Sequence, residues 1–177
     1  MRVLLVNAPS YGSHLRSIPL GLLYVASSIR RDGRSVELLD GTVFRNRAAF
    51  EARLAQCEYD VVGISSMTHN FPQALATAEF VHRQRPQVPV VLGGVHASTV
   101  PADVAEECPG DYVLAGEGEV AFGLLLDAME GRASYESVAG LCRYDDGQLT
   151  SAAPEPISDL DSLAMPAYDL VDFSNYT

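Results

Sequence analysis

Four short runs constrain what this chain can become more than anything else in it: RVLLVN at 2–7, DVVGIS at 60–65, VPVVLG at 88–93 and DYVLA at 111–115. Each is apolar almost without interruption and has strand length. A strand that is apolar on both sides must be covered on both sides, as happens in a parallel sheet held between layers of helices. The segments between the runs have helical period. Pro19 opens a stretch with Leu20, Leu23, Tyr24 and Ser27 at helical spacing, and Gly33 is a plausible stop. A further strand is expected at 36–40. Helices are expected around 47–56, 72–85 and 119–129, with a weaker one at 102–107. Strands recurring about every thirty residues with helices between them are the mark of repeated crossover units.

The fold class that follows is α/β: a doubly wound, flavodoxin-like or Rossmann-like sheet of five parallel strands flanked by helices, occupying 1–131. After Gly131 the pattern changes. LCRYDDGQLT sets Asp146 and Gly147 between two short strand-like pieces, a good hairpin turn because glycine tolerates positive φ. Residues 132–150 are therefore expected to form a small β-hairpin appendage. From 151 to 177 three prolines, many acids and scattered apolar residues read as a loosely docked linker leading to something beyond these residues.

Composition removes several functions. The formal net charge is −11, the opposite of the clustered positive charge a nucleic-acid surface needs. All twelve basic residues are arginine, which leaves no lysine for a phosphate loop or for a Schiff base with pyridoxal phosphate. With 47% hydrophobic residues, no bilayer-length apolar run and no leader at Met1, the chain is expected to be cytoplasmic, without a membrane span. Cys57, Cys108 and Cys142 are odd in number and far apart, so they read as thiols in or near the core.

In an open parallel sheet the ligand lies beyond the carboxyl ends of the strands, where the strand order reverses. The residues standing there are Asn7 to Ser10, Asp40 and Gly41, Ser65 to His69, Gly93 to His96, and Gly116 to Glu119. They are small, rich in glycine and hydroxyls, and nearly without positive charge. This is a poor catalytic set and a good berth for a bulky ligand approached by bare backbone. A dinucleotide fold wants three close glycines after the first strand, and residues 7–12 supply one. A receiver domain wants an aspartate at the third strand and a lysine at the fifth, and Ser65 and no lysine stand there. A flavin mononucleotide remains open, with APSYGS offering hydroxyls and amides to one phosphate.

Several linked segments in order, PLGLLYVASSIRRDG at 19–33, DVVGISSMTHN at 60–70, PVVLGGVHAS at 89–98, DYVLAGEGE at 111–119 and LDSLAMPAYDL at 160–170, resemble the N-terminal cobalamin (vitamin B12)-binding domain of cobalamin-dependent radical S-adenosylmethionine enzymes, the anaerobic magnesium-protoporphyrin ester cyclase among them. The resemblance implies cobalamin on the carboxyl edge with its nucleotide tail inserted between strands. It implies that Ser65, Ser66, Met67, Gly93 and Gly94 line the tail's slot, and that Gly116 and Gly118 leave room for ligand. Glu117 and Glu119 would accept bonds from corrin amides, and the loop from Pro9 to Ile18 would fold over the macrocycle. Asn7, Pro9, Ser10, Tyr11, Ser13, Leu20, Gly21, Thr68, His69, Val95 and His96 complete the implied contact set. The resemblance also implies a C-terminal radical domain with a [4Fe-4S] cluster and S-adenosylmethionine. The three cysteines spaced three and two apart that hold such a cluster are absent from these residues, which alone are then expected to carry cofactor rather than to catalyse.

One departure stands out. Methyl-carrying cobalamin domains place an aspartate two before, and a glycine three after, the histidine that ligates cobalt. Around His14 the corresponding residues are Gly12 and Ser17, so no protein metal ligand is expected there, and His69 is the nearest candidate to approach cobalt. Bland alternatives accompany these assignments: strand-end turns for the glycines, a hydrogen-bonding loop role for His96, a solvated or capping role for His69, a surface role for His82, and helix-dipole stabilisation for Glu117 and Glu119. At the level of function the alternatives are a stand-alone flavodoxin-like binding or sensory module holding flavin or no cofactor, and an interaction domain with a degenerate pocket.

Overall fold

A computed structural model describes residues 1–11, 16–31, 33–108, 111–145 and 147–176. Among the described residues seven strands form one sheet in the order β2-β1-β3-β4-β5-β6-β7. The first five, β1 (Arg2–Asn7), β2 (Ser35–Asp40), β3 (Val61–Ser65), β4 (Val90–Gly93) and β5 (Tyr112–Leu114), pair in parallel. That is the expected doubly wound core, with its order reversing between β1 and β3.

Successive residues of each strand feed opposite layers. Leu4, Val6, Val62, Ile64, Val90 and Leu92 pack with α2 (Arg47–Gln56) and α3 (Phe71–Gln84). Val3, Leu5, Val61, Val91 and Leu114 pack with α1 (Leu20–Arg31) and α6 (Gly118–Met129). Burial on both faces is why these strands read as unbroken apolar runs. Two short helices follow β4, α4 (Val95–Thr99) and α5 (Pro101–Glu107). The second was expected; the first occupies residues that read as loop, because a five-residue helix offers no period to detect.

The hairpin does not stand apart from the sheet. β6 (Leu141–Asp145) pairs antiparallel with β5 and β7 (Gln148–Ser151) pairs with β6, so the hairpin extends the sheet at that edge. Cys142 and Leu141 are buried there, which ties it to both core layers. Residues 152–176 also dock more specifically than a loose linker. Ala167 donates its N–H to the Leu23 carbonyl at 3.1 Å, Ser27 Oγ donates to the Met165 carbonyl at 2.6 Å, and Arg30 pairs with Asp169 at 2.8 Å. Cys57 and Cys142 are buried free thiols and Cys108 is half-buried; burial pushes the Cys57 thiol up to about 11 and that of Cys108 to about 12. No helix among the described residues is long and apolar enough to cross a membrane.

Candidate functional site at the carboxyl edge

The register of the sheet places Asp40, Asn7, Ser65 and Gly93 in one row across the ends of β2, β1, β3 and β4. Just past that row lies a cavity of about 560 Å3, within the range of about 300–1,000 Å3 usual for small-molecule sites. Its inner wall is apolar. Leu5, Gly63 and Val91 stand side by side on neighbouring strands, with Leu114 from β5, Phe122 from α6, and Leu22 and Val25 from α1. Its mouth carries Asn7, Ser10, Ser17, Thr42, Ser65, Ser66, His69, Glu117 and Glu119. A bulky apolar group thus fits within, and polar groups at the rim.

The mouth is braced by hydrogen bonds between loops. Asn70, only 5% exposed, donates through Nδ2 to the Ala8 carbonyl at 2.9 Å and accepts from the Met67 N–H at 2.8 Å, locking the loop after β3 to the loop after β1. The Ser66 N–H donates to the Gly93 carbonyl at 3.1 Å, and the His96 N–H to the Ser66 carbonyl at 3.3 Å. Ser98 Oγ donates to the Gly94 carbonyl and accepts from the Gly116 N–H at 2.9 Å, joining the loops after β4 and β5. Asp40, 8% exposed, accepts at Oδ1 from Asn7 Nδ2, the Thr42 N–H and Thr42 Oγ1 at 2.8–2.9 Å. One acceptor at the cavity is left over. Glu119 Oε2 is buried and has no hydrogen-bond partner among the described residues.

Most of the implied contact residues converge here: Asn7, Ser10, Leu20, Gly21, Ser65, Ser66, Met67, His69, Gly93, Gly94, Val95, Gly116, Glu117, Gly118 and Glu119 all line the cavity. Four others stand elsewhere. Pro9 is buried against Gly41, whose Cβ, if it had one, would fall 2.7 Å from the Pro9 ring. Tyr11 lines a separate cavity of about 250 Å3 with Arg47, Phe50 and Gln73. Thr68 and His96 bond to each other, His96 Nδ1 to Thr68 Oγ1 at 3.3 Å, and the His96 ring lies on Phe71 with centroids 4.1 Å apart. Ser13 and His14 lie outside the described residues. His82 is not simply a surface residue, since its Nε2 sits 2.9 and 3.0 Å from the two carboxylate oxygens of buried Asp111.

The glycines divide by cause. At Gly94, φ is +90° and a Cβ would fall 2.6–2.8 Å from Ser65 and Ser66 atoms, so the protein's own packing already demands glycine. At Gly93 a Cβ would meet nothing closer than the Leu114 carbonyl oxygen at 3.6 Å, and the space in front of it belongs to the cavity. Gly63 lies inside β3. A Cβ there would come within 3.0 Å of the Phe122 ring and 3.1 Å of Leu5, so its absence lets Phe122 close the inner end of the cavity. A lone glycine inside an apolar strand was the available signal. Thr42, Val25 and Phe122 carried none, because long-range packing brings them to the site.

Comparison with known proteins agrees with this geometry. The family model of the B12 binding domain matches residues 13–126. An uncharacterized methyltransferase of Pyrococcus horikoshii is 31% identical over 184 residues, covering 99% of this chain and 40% of that protein. An anaerobic magnesium-protoporphyrin IX monomethyl ester cyclase of a Synechocystis species is 29% identical over 187 residues, covering 100% of this chain and 37% of the cyclase. Among solved structures, the cobalamin-dependent S-adenosylmethionine radical enzyme OxsB with aqua-cobalamin and S-adenosylmethionine bound shares the fold, with a TM-score of 0.80 at 19% identity over 96% of this chain and 24% of that one. The chain spans 40% or less of the length of each of these proteins.

Proposed function

Because this chain belongs to the B12 binding domain family, we propose that its carboxyl-edge cavity takes the nucleotide tail of cobalamin and that the corrin lies across the mouth. In the whole polypeptide this segment would then serve a radical S-adenosylmethionine enzyme, whose cluster-bearing domain follows residues 151–177. Bound cobalamin would supply a cobalt centre able to carry a methyl group or exchange single electrons. The chain's own residues bind, orient and exclude water. Leu5, Val91, Leu114 and Phe122 offer an apolar wall to the base of the tail. Ser65, Ser66 and Asn7 offer hydroxyl and amide groups to its sugar and phosphate. Glu117 and Glu119 would offer acceptors to amide donors of the corrin rim, and His69 is exposed at the mouth, within the surface the macrocycle would cover.

The observation that carries this reading is the cavity itself, apolar within and rimmed by hydroxyl, amide and carboxylate groups, beside which the buried Oε2 of Glu119 stands without a partner among the described residues. Such an atom costs free energy until a donor reaches it. A flavin phosphate is disfavoured at the same place, since two carboxylates and no arginine line the cavity among the described residues.

The test is a titration of the purified protein with hydroxocobalamin, followed by gel filtration and a visible spectrum of the protein fraction. Near-stoichiometric retention of corrin absorbance is expected, with a rise in melting temperature. At a hundredfold excess over Kd the linkage is about 2.7 kcal/mol, or about 5–10 °C for a chain of this size. The spectrum also reports whether the tail base has left cobalt. Absence of uptake by this chain, and by the longer polypeptide that contains it, would overturn the proposal.

A further inference from the structure

Residues 152–176 touch the cavity mouth directly on one side and reach it through Asp40 on the other. On one side Pro154 packs against Gly116, and the Ile157 N–H donates to Glu117 Oε2 at 2.5 Å. The segment then crosses the outer side of α1, held by the Leu23, Ser27 and Arg30 contacts. Beyond them Arg16, in the first loop, donates to the Asn175 carbonyl at 3.2 Å. On the far side the Tyr176 hydroxyl donates to Asp40 Oδ2. The other oxygen of that buried carboxylate holds Asn7 and Thr42, both of which line the cavity. Burial, and then the Asp40 carboxylate, push the Tyr176 phenol upward, so it stays a donor at neutral pH.

Building on the cobalamin reading, we propose that residues 152–176 act as a strap that sets the shape of the cavity mouth, and that Tyr176 is a positioning residue acting through Asp40 on Asn7 and Thr42. The hydroxyl satisfies an oxygen of a carboxylate that is 8% exposed, and so holds the carboxylate in the orientation that serves Asn7 and Thr42. Without it, Oδ2 loses that donor, and the carboxylate that serves Asn7 and Thr42 is held through Oδ1 alone. The coupling is reciprocal. If the strapped form binds ligand better, ligand must tighten the strap by the same factor. Corrin occupancy is then communicated to whatever part of the polypeptide follows.

Tyr176→Phe removes one hydroxyl and keeps the ring, so the fold is retained. In hydroxocobalamin titrations this variant should bind about two- to tenfold more weakly than the parent chain. Asn7→Ala should also weaken binding, and the double variant should lose less than the product of the two single losses, because both act through Asp40. A purely structural role would not move the second readout: backbone amides of 165–176 should exchange hydrogen more slowly when hydroxocobalamin is bound, and Tyr176→Phe should abolish most of that difference. Equal affinity of parent and Tyr176→Phe, or exchange in 165–176 that ignores ligand, would overturn the strap while leaving the cofactor assignment intact. A parent chain that takes up no hydroxocobalamin would overturn both.

Discussion

Glu119 opens α6 with a carboxylate in the first turn, where the helix dipole favours negative charge, yet its Oε2 is buried without a partner among the described residues. Folding and binding therefore make opposite demands on one side chain. Glu119→Ala should leave the ligand-free protein as stable as the parent or about 1 kcal/mol more stable, because the unsatisfied acceptor is gone. Cobalamin affinity should fall by about 1–3 kcal/mol in the same variant. Urea unfolding and a hydroxocobalamin titration check the two halves. A loss of stability with unchanged affinity would mean that the carboxylate serves only its helix. At this scale the placement of Ser65, Ser66, Gly93 and the Glu117–Glu119 pair at the cavity was legible in the sequence, because they end or follow strands. Thr68 and His96 share the same strand-end position, and side-chain pairing with each other and with Phe71 turned them to another use.

Among the elements, the hairpin β6–β7 shows how pairing overrides local pattern. A DG turn between two short runs announced it, but nothing local says that it will add to β5. The join is made at Gly140, which accepts from the Ala115 N–H at 2.9 Å and donates to the Ala153 carbonyl at 3.1 Å. Its φ is +75°, and a Cβ would fall 2.1 Å from the Ala115 carbonyl oxygen. Gly140→Ala should therefore cost about 2–4 kcal/mol, from backbone strain and a forced separation of the hairpin from β5. Gly131 has a similar φ of +73° with nothing within 4 Å of a Cβ, so Gly131→Ala should cost only the strain, about 1 kcal/mol. Comparable urea midpoints for the two variants would refute a tight hairpin–sheet junction.

On the scale of the whole molecule, carboxylates paired with arginine hold distant segments together. Arg34, whose side chain is 3% exposed, donates to Asp127 at 2.5 Å and to Glu130 at 2.8 Å, fastening the start of β2 to the end of α6. The Arg34 hydrogen bond holds the Glu130 carboxyl below its usual range, and Arg132 and then Arg34 do the same for Asp127. A carboxylate lowered by folding contributes stability above its unfolded pKa and loses it as pH falls through the folded value. Asp111 runs the other way: burial raises it, against the His82 bond, so its contribution is present in acid and lost as pH rises. The paired acids outnumber it, so the melting temperature should fall as pH drops from about 5 to about 3. Glu130→Gln should be less stable than the parent at neutral pH and should lose less across that window. Parallel curves for the two proteins would remove Glu130 from the acid response.

By itself the sequence determined the five-stranded parallel core and the edge at which the candidate site lies, because burial on two faces and glycine at strand ends are written in residue type and period. What tertiary structure alone decided is the cavity's inner wall and its outer brace. Phe122 reaches Gly63 across 59 positions of chain, and Tyr176 reaches Asp40 across 136. No periodicity encodes such contacts, since they exist only after helices have packed on the sheet and the C-terminal segment has crossed α1. Local chemistry names the groups that can bind, and long-range packing determines which of them face the same space.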